Sequence, residues 1–177
     1  MDVWTAIQAK RAIRRFSGRS IEPDELAGIL DAGRRAGSSK NLQRWDFIIC
    51  RERQHLADLA TLGPYAGHIA GAAVAIALVT PDPAAADAPL SVMFDLGQAA
   101  ENMMLAALEL GIGSCPATVY QHDRARELLG YPLTHHCEYV LSFGYPADPA
   151  ELSRPPRTGG RRPLSEIVHE ERWSSSG

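Results

Sequence analysis

The sequence predicts a single α+β domain. Helical and strand patterns interleave irregularly along the 177 residues, without the repeat of roughly 20–50 residues that marks solenoids and propellers. A chain of this length with 45% hydrophobic residues can bury one substantial core. The one linker-like stretch, 81–89, is short enough to be a surface loop. We therefore expect residues 1–173 to form one domain and residues 174–177 to be a frayed tail.

Two predicted helices precede the first strand. Asp2 suits the N-cap of a helix that ends near Arg11. Pro23 suits the first turn of a second helix, which Gly33 and Gly37 are expected to close. The remaining predicted elements follow in order: strand 45–50, helix 54–62, strand 72–79, helix 91–110, extended segment 112–119, helix 123–129, strand 138–143 and a last helical piece 164–173.

The long helix 91–110 carries apolar residues on more than one face. One row recurs at helical spacing and a second row lies beside it; the residues are Val92, Leu96, Ala99, Met103, Ala107 and Leu110, then Met93, Ala100, Met104 and Leu108. A helix of this kind needs burial on two sides. A second subunit or the chain's own domain would each satisfy that need.

Composition and spacing exclude several functional classes. A net charge of −3 gives no general attraction for nucleic acid. The 3 widely spaced cysteines argue against a disulfide framework and a paired-cysteine zinc site. His135 and His136 are adjacent and point different ways, so we predict no metal site. Without a secretory pattern or an apolar stretch of about 20 residues, we expect a soluble cytoplasmic protein and no membrane partner.

Basic and polar residues cluster in three separated stretches, 10–16, 37–43 and 161–164. A phosphate monoester is close to a dianion at neutral pH, and it binds best where several charge-assisted hydrogen bonds reach it. Local clusters in a chain with little net charge indicate a site. We find no nucleophile motif, phosphate-binding glycine loop or dinucleotide fingerprint.

Five motifs in order give the chain a resemblance to a known family. They are KRAIRRF at 10–16, GSSKNLQRW at 37–45, LGIGS at 110–114, FGYP at 143–146 and RPLSEIV at 162–168. In this combination the chain resembles the nitroreductase superfamily of flavin mononucleotide (FMN) enzymes. The resemblance implies a central, mostly antiparallel sheet flanked by helices, in a homodimer with two FMN sites at its interface.

The resemblance also implies roles for individual residues. Lys10 and Arg11, next to Ala12, would hold phosphate and ribityl oxygens, and Arg14 would reach the pyrimidine edge and stabilise the negative charge of reduced flavin. A loop of the partner subunit would approach the FMN with Ser38, Ser39, Asn41 and Gln43. A backbone N–H of Ala117 or Thr118 would lie near flavin N5. Arg161 and Arg162 would complete the phosphate contacts.

The implied activity is electron transfer from NAD(P)H, through flavin N5, to a small-molecule acceptor such as a nitroaromatic or quinone, by a ping-pong mechanism. No side chain is assigned as an essential acid or base. Alternatives are another flavin reaction on the same fold (oxidation of a peptide-derived substrate, dehalogenation or flavin breakdown), a non-catalytic flavin-binding module, and an interaction domain without cofactor.

The chain departs from the family pattern at four positions. Ala12 stands where serine is common, and Arg44 replaces the usual proline before Trp45. Pro116 and Thr118 stand where many relatives carry tryptophan and glycine. These departures bear on substrate preference more than on flavin binding, because the other anchors remain.

Overall fold

A computed structural model describes residues 1–154 and 160–173, so the predicted tail at 174–177 lies outside the described residues. Its helices are α1 (Val3–Ala9), α2 (Pro23–Arg34), α3 (Arg53–Leu59), α4 (Val92–Glu109) and α5 (His122–Leu129). Its strands are β1 (Asp46–Cys50), β2 (Val74–Pro81), β3 (Gly113–Thr118) and β4 (His135–Gly144). Short 3₁₀ turns span Ser39–Asn41, Ala66–Gly71, Pro149–Leu152 and Leu164–Glu166.

The four strands form one antiparallel sheet in the order β1-β2-β4-β3. Two apolar clusters cover its faces, one including α2 and α4 and the other including α3 and α5. Strand β2 is buried on both faces from Val74 to Thr80, as its continuous apolar run predicts. The predicted α+β class and antiparallel sheet are therefore confirmed.

The caps predicted from sequence agree with the structure. The carboxylate of Asp2 accepts a hydrogen bond from the backbone N–H of Thr5 at 3.0 Å. Pro23 is the first residue of α2, and Glu22 and Glu25 form a capping box around it. Gly33, however, does not close α2. It lies inside the helix, where an added Cβ would fall 2.3 Å from Cε of Met103, so it allows α2 and α4 to approach closely.

Helix α4 is covered mainly by its own chain. Leu96 and Met103 are 2% and 0% exposed, and Met104 and Leu108 of the second row are also buried. The second apolar row therefore needs no partner subunit. Phe94, by contrast, is 71% exposed on α4. No helix among the described residues is both long and apolar enough to cross a membrane.

The predicted helix at 164–173 is wrong. Only Leu164–Glu166 is helical there, as a single 3₁₀ turn. Leu164, Val168 and Trp173 are more than half exposed, so no apolar face is packed to stabilise a helix.

Candidate functional site

The basic segment 10–16 lies along the outer edge of strand β3. The backbone N–H of Ile13 donates to the carbonyl of Ser114 at 2.9 Å, and Ala12 and Ser114 form an isolated parallel bridge. At the other end, Phe16 forms an antiparallel bridge with Pro146. The segment is thus attached to the start of β3 and to the chain just after β4.

A pair of glycines makes room for this segment. Gly113 of β3 and Gly144 of β4 are paired directly across the sheet. A Cβ added at Gly113 would lie 2.7 Å from Cβ of Ile13, and one at Gly144 would lie 2.8 Å from Cδ1 of Phe16. Both distances are far below ordinary carbon contacts of about 3.5–4.0 Å. The glycines therefore determine how closely the basic segment approaches the sheet.

Burial of Ile13 directs its neighbours outward. Ile13 is 1% exposed, whereas Ala12 and Arg14 are exposed, as alternation in an extended chain requires. Burial raises the pKa of the Cys115 thiol, and the nearby charges of Arg14 and Lys10 lower it. These two cations therefore lie beside the middle of β3.

The arginines of the segment have different partners. Arg11 donates through Nε to the carbonyl of Ala9 at 2.8 Å and through Nη1 to the carbonyl of Arg154. Arg15 pairs with Glu151 at 2.8 Å. Arg14 makes no hydrogen bond or ion pair with any residue in the described part of the chain. Its charge is available to a ligand.

The charge of Lys10 is only partly compensated. Its ammonium group lies 3.5 Å from Glu101 of α4, whose side chain is 46% exposed. A loose, half-exposed pair of this kind contributes little to stability. Lys10 and Arg14 therefore place positive charge beside β3, and Arg11 lies between them in the chain.

The outer edge of β3 offers one backbone donor at Thr118. Val119 N–H donates to the carbonyl of Glu138, so Ala117, two residues earlier, also directs its backbone groups toward β4. Thr118 directs its N–H the opposite way, and no described residue accepts a hydrogen bond from it. Of the two residues predicted near flavin N5, only Thr118 has a free N–H. Pro116, at the preceding outward position, has no N–H to donate.

The polar loop 38–43 has an unusual backbone. Lys40, Asn41 and Gln43 have φ of 54°, 55° and 48°, the left-handed region that side chains other than glycine rarely adopt. Three such residues in a four-residue span store strain of a kind that clusters at ligand sites. Two bonds hold the conformation: Ser39 N–H donates to Asp95 at 3.0 Å, and Gln43 N–H donates to Ser38 Oγ at 3.0 Å.

Within one chain this loop is not joined to the basic segment. Asp95, which holds the loop, and Glu101, which holds Lys10, are six residues apart and face different sides of α4. No hydrogen bond or ion pair among residues 1–154 and 160–173 connects the loop with Lys10 or Arg14. The structure therefore brings the basic segment and β3 together, but not the loop.

Among the described residues, no hydrogen bond or ion pair joins Arg161 or Arg162 to the basic segment. Arg162 donates to the carbonyl of Glu166 at 2.8 Å and approaches its carboxylate at 3.3 Å. Arg161 is exposed and has no partner in the part of the chain that the structure describes. Arg44 is exposed as well, and it lines a cleft with Asp82 and Asp87.

A buried polar network behind β3 was missed by sequence reasoning. Nδ1 of His68 lies 2.8 Å from Ser142 Oγ, which donates to the carbonyl of Cys115 at 3.1 Å. Burial lowers the pKa of His68, and the charge of Arg14 lowers it further. The available signal was Ser142 itself, a polar residue within an otherwise apolar strand.

Known proteins match the chain in sequence and in fold. The model of the nitroreductase family matches residues 7–67 and 63–145. A provisionally named NADH dehydrogenase/NAD(P)H nitroreductase of Archaeoglobus fulgidus is 33% identical, with 94% of this chain and 96% of that protein covered. The NADPH-flavin oxidoreductase of Vibrio harveyi is 26% identical, with 94% and 72% covered.

A solved structure has the same fold. The FMN-dependent nitroreductase of Clostridium difficile R20291 superposes with a TM-score of 0.80 at 24% identity, covering 95% of this chain and 98% of that one. The family match extends over most of the chain. It includes the whole basic segment, the polar loop and all four strands. The chain belongs to the nitroreductase family of NAD(P)H oxidoreductases.

Proposed function

We propose that this protein is an FMN-dependent oxidoreductase that takes electrons from NAD(P)H and passes them to a quinone, nitroaromatic or related acceptor by a ping-pong mechanism. The observation that carries the proposal is the position of the basic segment, which the Gly113–Gly144 pair holds against the edge of β3. The names of the relatives support the choice of electron donor and cofactor.

The residues beside β3 fit a flavin with a terminal phosphate. Lys10 and Arg11 offer charge-assisted donors to the phosphate, although Arg11 already uses two donors on backbone carbonyls. Arg14 has an uncompensated charge, which suits the negative charge that reduced flavin develops on its pyrimidine side. Thr118 offers a free backbone N–H at the same edge for flavin N5. Bound FMN would supply the redox chemistry, and the protein would bind and orient it.

A homodimer would complete this site. The strained loop 38–43 does not reach the basic segment of its own chain, and the loop of a second copy would supply the missing polar contacts. We propose that Arg161 and Arg162 also join the phosphate contacts in the assembled site.

Exposed apolar side chains support dimerisation. Val3, Trp4 and Ile7 of α1 are 74%, 65% and 50% exposed, and Phe94 of α4 is 71% exposed. The segment 160–173 adds Leu164, Val168 and Trp173, all more than half exposed. A monomer rarely leaves so many large apolar groups in water, so a second copy is the natural cover.

The proposal is tested by the absorbance spectrum of the purified protein after incubation with FMN, followed by NAD(P)H titration without air and then addition of a quinone. We expect bound flavin, bleaching by NAD(P)H, and recovery of the oxidised spectrum with the quinone. Protein that binds no FMN would refute cofactor and function together. Bound FMN that NAD(P)H does not reduce would leave a flavin-binding module and refute the reductase.

A further inference from the structure

Three metal-ligating side chains meet where the start of β4 adjoins helix α5. His136 and Glu138 are two residues apart on β4, and Nε2 of His136 lies 2.8 Å from Oε2 of Glu138. His122, the first residue of α5, places its ring against that of His136 with centroids 4.5 Å apart. One ligand atom from each residue lies within 4.8 Å of the other two.

The surroundings of this cluster favour a bound ion over three solvated side chains. The side chains of His136 and Glu138 are only 18% and 29% exposed. Nδ1 of His122 is buried and has no hydrogen-bond partner among the described residues. An orphaned buried polar atom is costly. A cation bound at that atom would supply its missing partner.

We propose that His122, His136 and Glu138 form a zinc site. Two imidazoles and one carboxylate are a ligand set that Zn²⁺ accepts, with a water molecule at the fourth position. Bonds of about 2.0–2.2 Å would place the ligand atoms of a tetrahedral ion roughly 3.3 Å apart. Side-chain rotation would have to open the 2.8 Å contact between His136 and Glu138 and adjust the atom of His122, which lies within 4.8 Å of both.

The ion would replace the proton that His136 and Glu138 share. In the structure their 2.8 Å contact is a hydrogen bond. Zinc at Nε2 of His136 would need that nitrogen unprotonated, so the hydrogen would move to Nδ1 of a neutral ring or would leave a protonated ring for solvent. Because protons compete with the metal for the ligand atoms, zinc affinity should fall as the pH is lowered.

Neighbouring groups do not prevent binding of a cation. Arg126 on α5 is paired with Asp123 at 3.1 Å, so its charge is compensated. The hydroxyl of Tyr131 is occupied by the carbonyl of His122 at 3.2 Å. Cys137 lies between the two β4 ligands in sequence, but it is fully buried in the core cluster that also contains Ala125, and its thiol donates to the carbonyl of Tyr139 at 3.5 Å. It is not one of the three clustered ligands.

The ion would connect α5 to β4 and so stabilise the fold. The site lies at the end of the β3–β4 ladder opposite the Gly113–Gly144 pair. It does not depend on the proposed redox function, and its presence is measured without any turnover.

The test uses the full chain, stripped of metal with EDTA and freed of chelator. We expect calorimetric titration to show one Zn²⁺ per chain, and Co²⁺ to give the visible absorption bands of a tetrahedral site. Zinc at a hundredfold excess over Kd should raise Tm by roughly 5–10 °C. His122→Gln and His136→Gln should each weaken zinc binding by more than about 100-fold, since loss of even an outer partner costs 10–100-fold.

His135→Gln is the matched control. His135 is adjacent to the site and is half-buried like His136, but its ring contacts Thr134 at 3.0 Å, so this variant should bind zinc like the parent. A parent protein without stoichiometric zinc or cobalt binding would overturn the proposal. So would an equal loss in all three variants, or unchanged binding in His122→Gln and His136→Gln. If either ligand-histidine variant fails to fold, Glu138→Gln, which should also weaken zinc binding, and the cobalt spectrum of the parent still decide.

Discussion

Replacing Gly113 with alanine tests whether the glycine pair positions the basic segment. The new methyl group would meet Cβ, Cγ1 and Cγ2 of Ile13 at 2.7, 2.8 and 2.8 Å. These atoms belong to a branched side chain fixed to the backbone and 1% exposed, so they cannot rotate away. The segment carrying Lys10 and Arg14 must therefore move outward.

The size of the effect follows from the overlap. Relieving contacts of 2.7–2.8 Å to ordinary carbon separations needs a shift of roughly 1 Å. Overpacking of this kind costs about 1–3 kcal/mol. Since 1.4 kcal/mol is a factor of ten, FMN affinity should fall roughly 5- to 150-fold if FMN binding must restore the native position. Gly144→Ala should act similarly through Phe16.

The assay is FMN titration by fluorescence, together with Tm measured without flavin. Gly28→Ala is the control, because Gly28 is exposed on α2 and an added Cβ would meet nothing within 4 Å. That change should leave FMN affinity unchanged and raise stability by about 0.5–1 kcal/mol. Parent-like FMN affinity and Tm in Gly113→Ala would refute the positioning role.

Three further predictions concern charge, assembly and pH. Arg14→Gln should weaken FMN binding by about 1.5–3 kcal/mol. Arg15 is paired with Glu151 at the surface, so Arg15→Gln should change FMN binding by less than about 0.5 kcal/mol. Equal losses in the two FMN titrations would contradict the assignment. Trp4→Glu should convert a dimer to monomers in sedimentation analysis, with loss of FMN. Leu133→Glu, at a site that is 80% exposed, should leave the dimer and its FMN intact. A Trp4→Glu dimer with full FMN would exclude this interface. Burial and a nearby arginine lower the pKa of His68 in the folded state. Below the ordinary histidine pKa of about 6.5, which applies to the unfolded chain, the unfolded state therefore binds more protons. The free energy of unfolding should fall as the pH drops below that value. His68→Asn should show a smaller fall between pH 7 and 5.5 in urea unfolding, and an unchanged fall would show that His68 is not responsible.

Local patterns predicted most of the fold because they depend on short-range physics. The N-cap at Asp2 and the start of α2 at Pro23 agree with the structure, and the doubly buried strand predicted at 72–79 is observed at Val74–Pro81. Such signals depend on backbone hydrogen bonding and on periodic burial, which neighbouring residues determine. The predicted helix at 164–173 failed because its apolar residues have no surface of their own chain to pack against.

Long-range packing decided what local patterns could not. Gly33 had the appearance of a helix terminator, but it lies inside α2, where an added Cβ would overlap the side chain of Met103 on α4. Leu96 and Met103 were candidates for a subunit interface, yet both lie in the chain's own core. Charging either residue should therefore unfold the chain rather than separate a dimer.

The sequence by itself determined which residue types could meet an anionic cofactor, and it identified the family through the order of its motifs. Tertiary structure alone decided where those residues lie. It brings Arg14 beside β3, leaves the N–H of Thr118 free, keeps the loop 38–43 apart, and brings His122 to His136 across 14 residues of chain. The physical reason is that residues distant in sequence meet only through sheet register and helix packing, which a linear pattern does not contain.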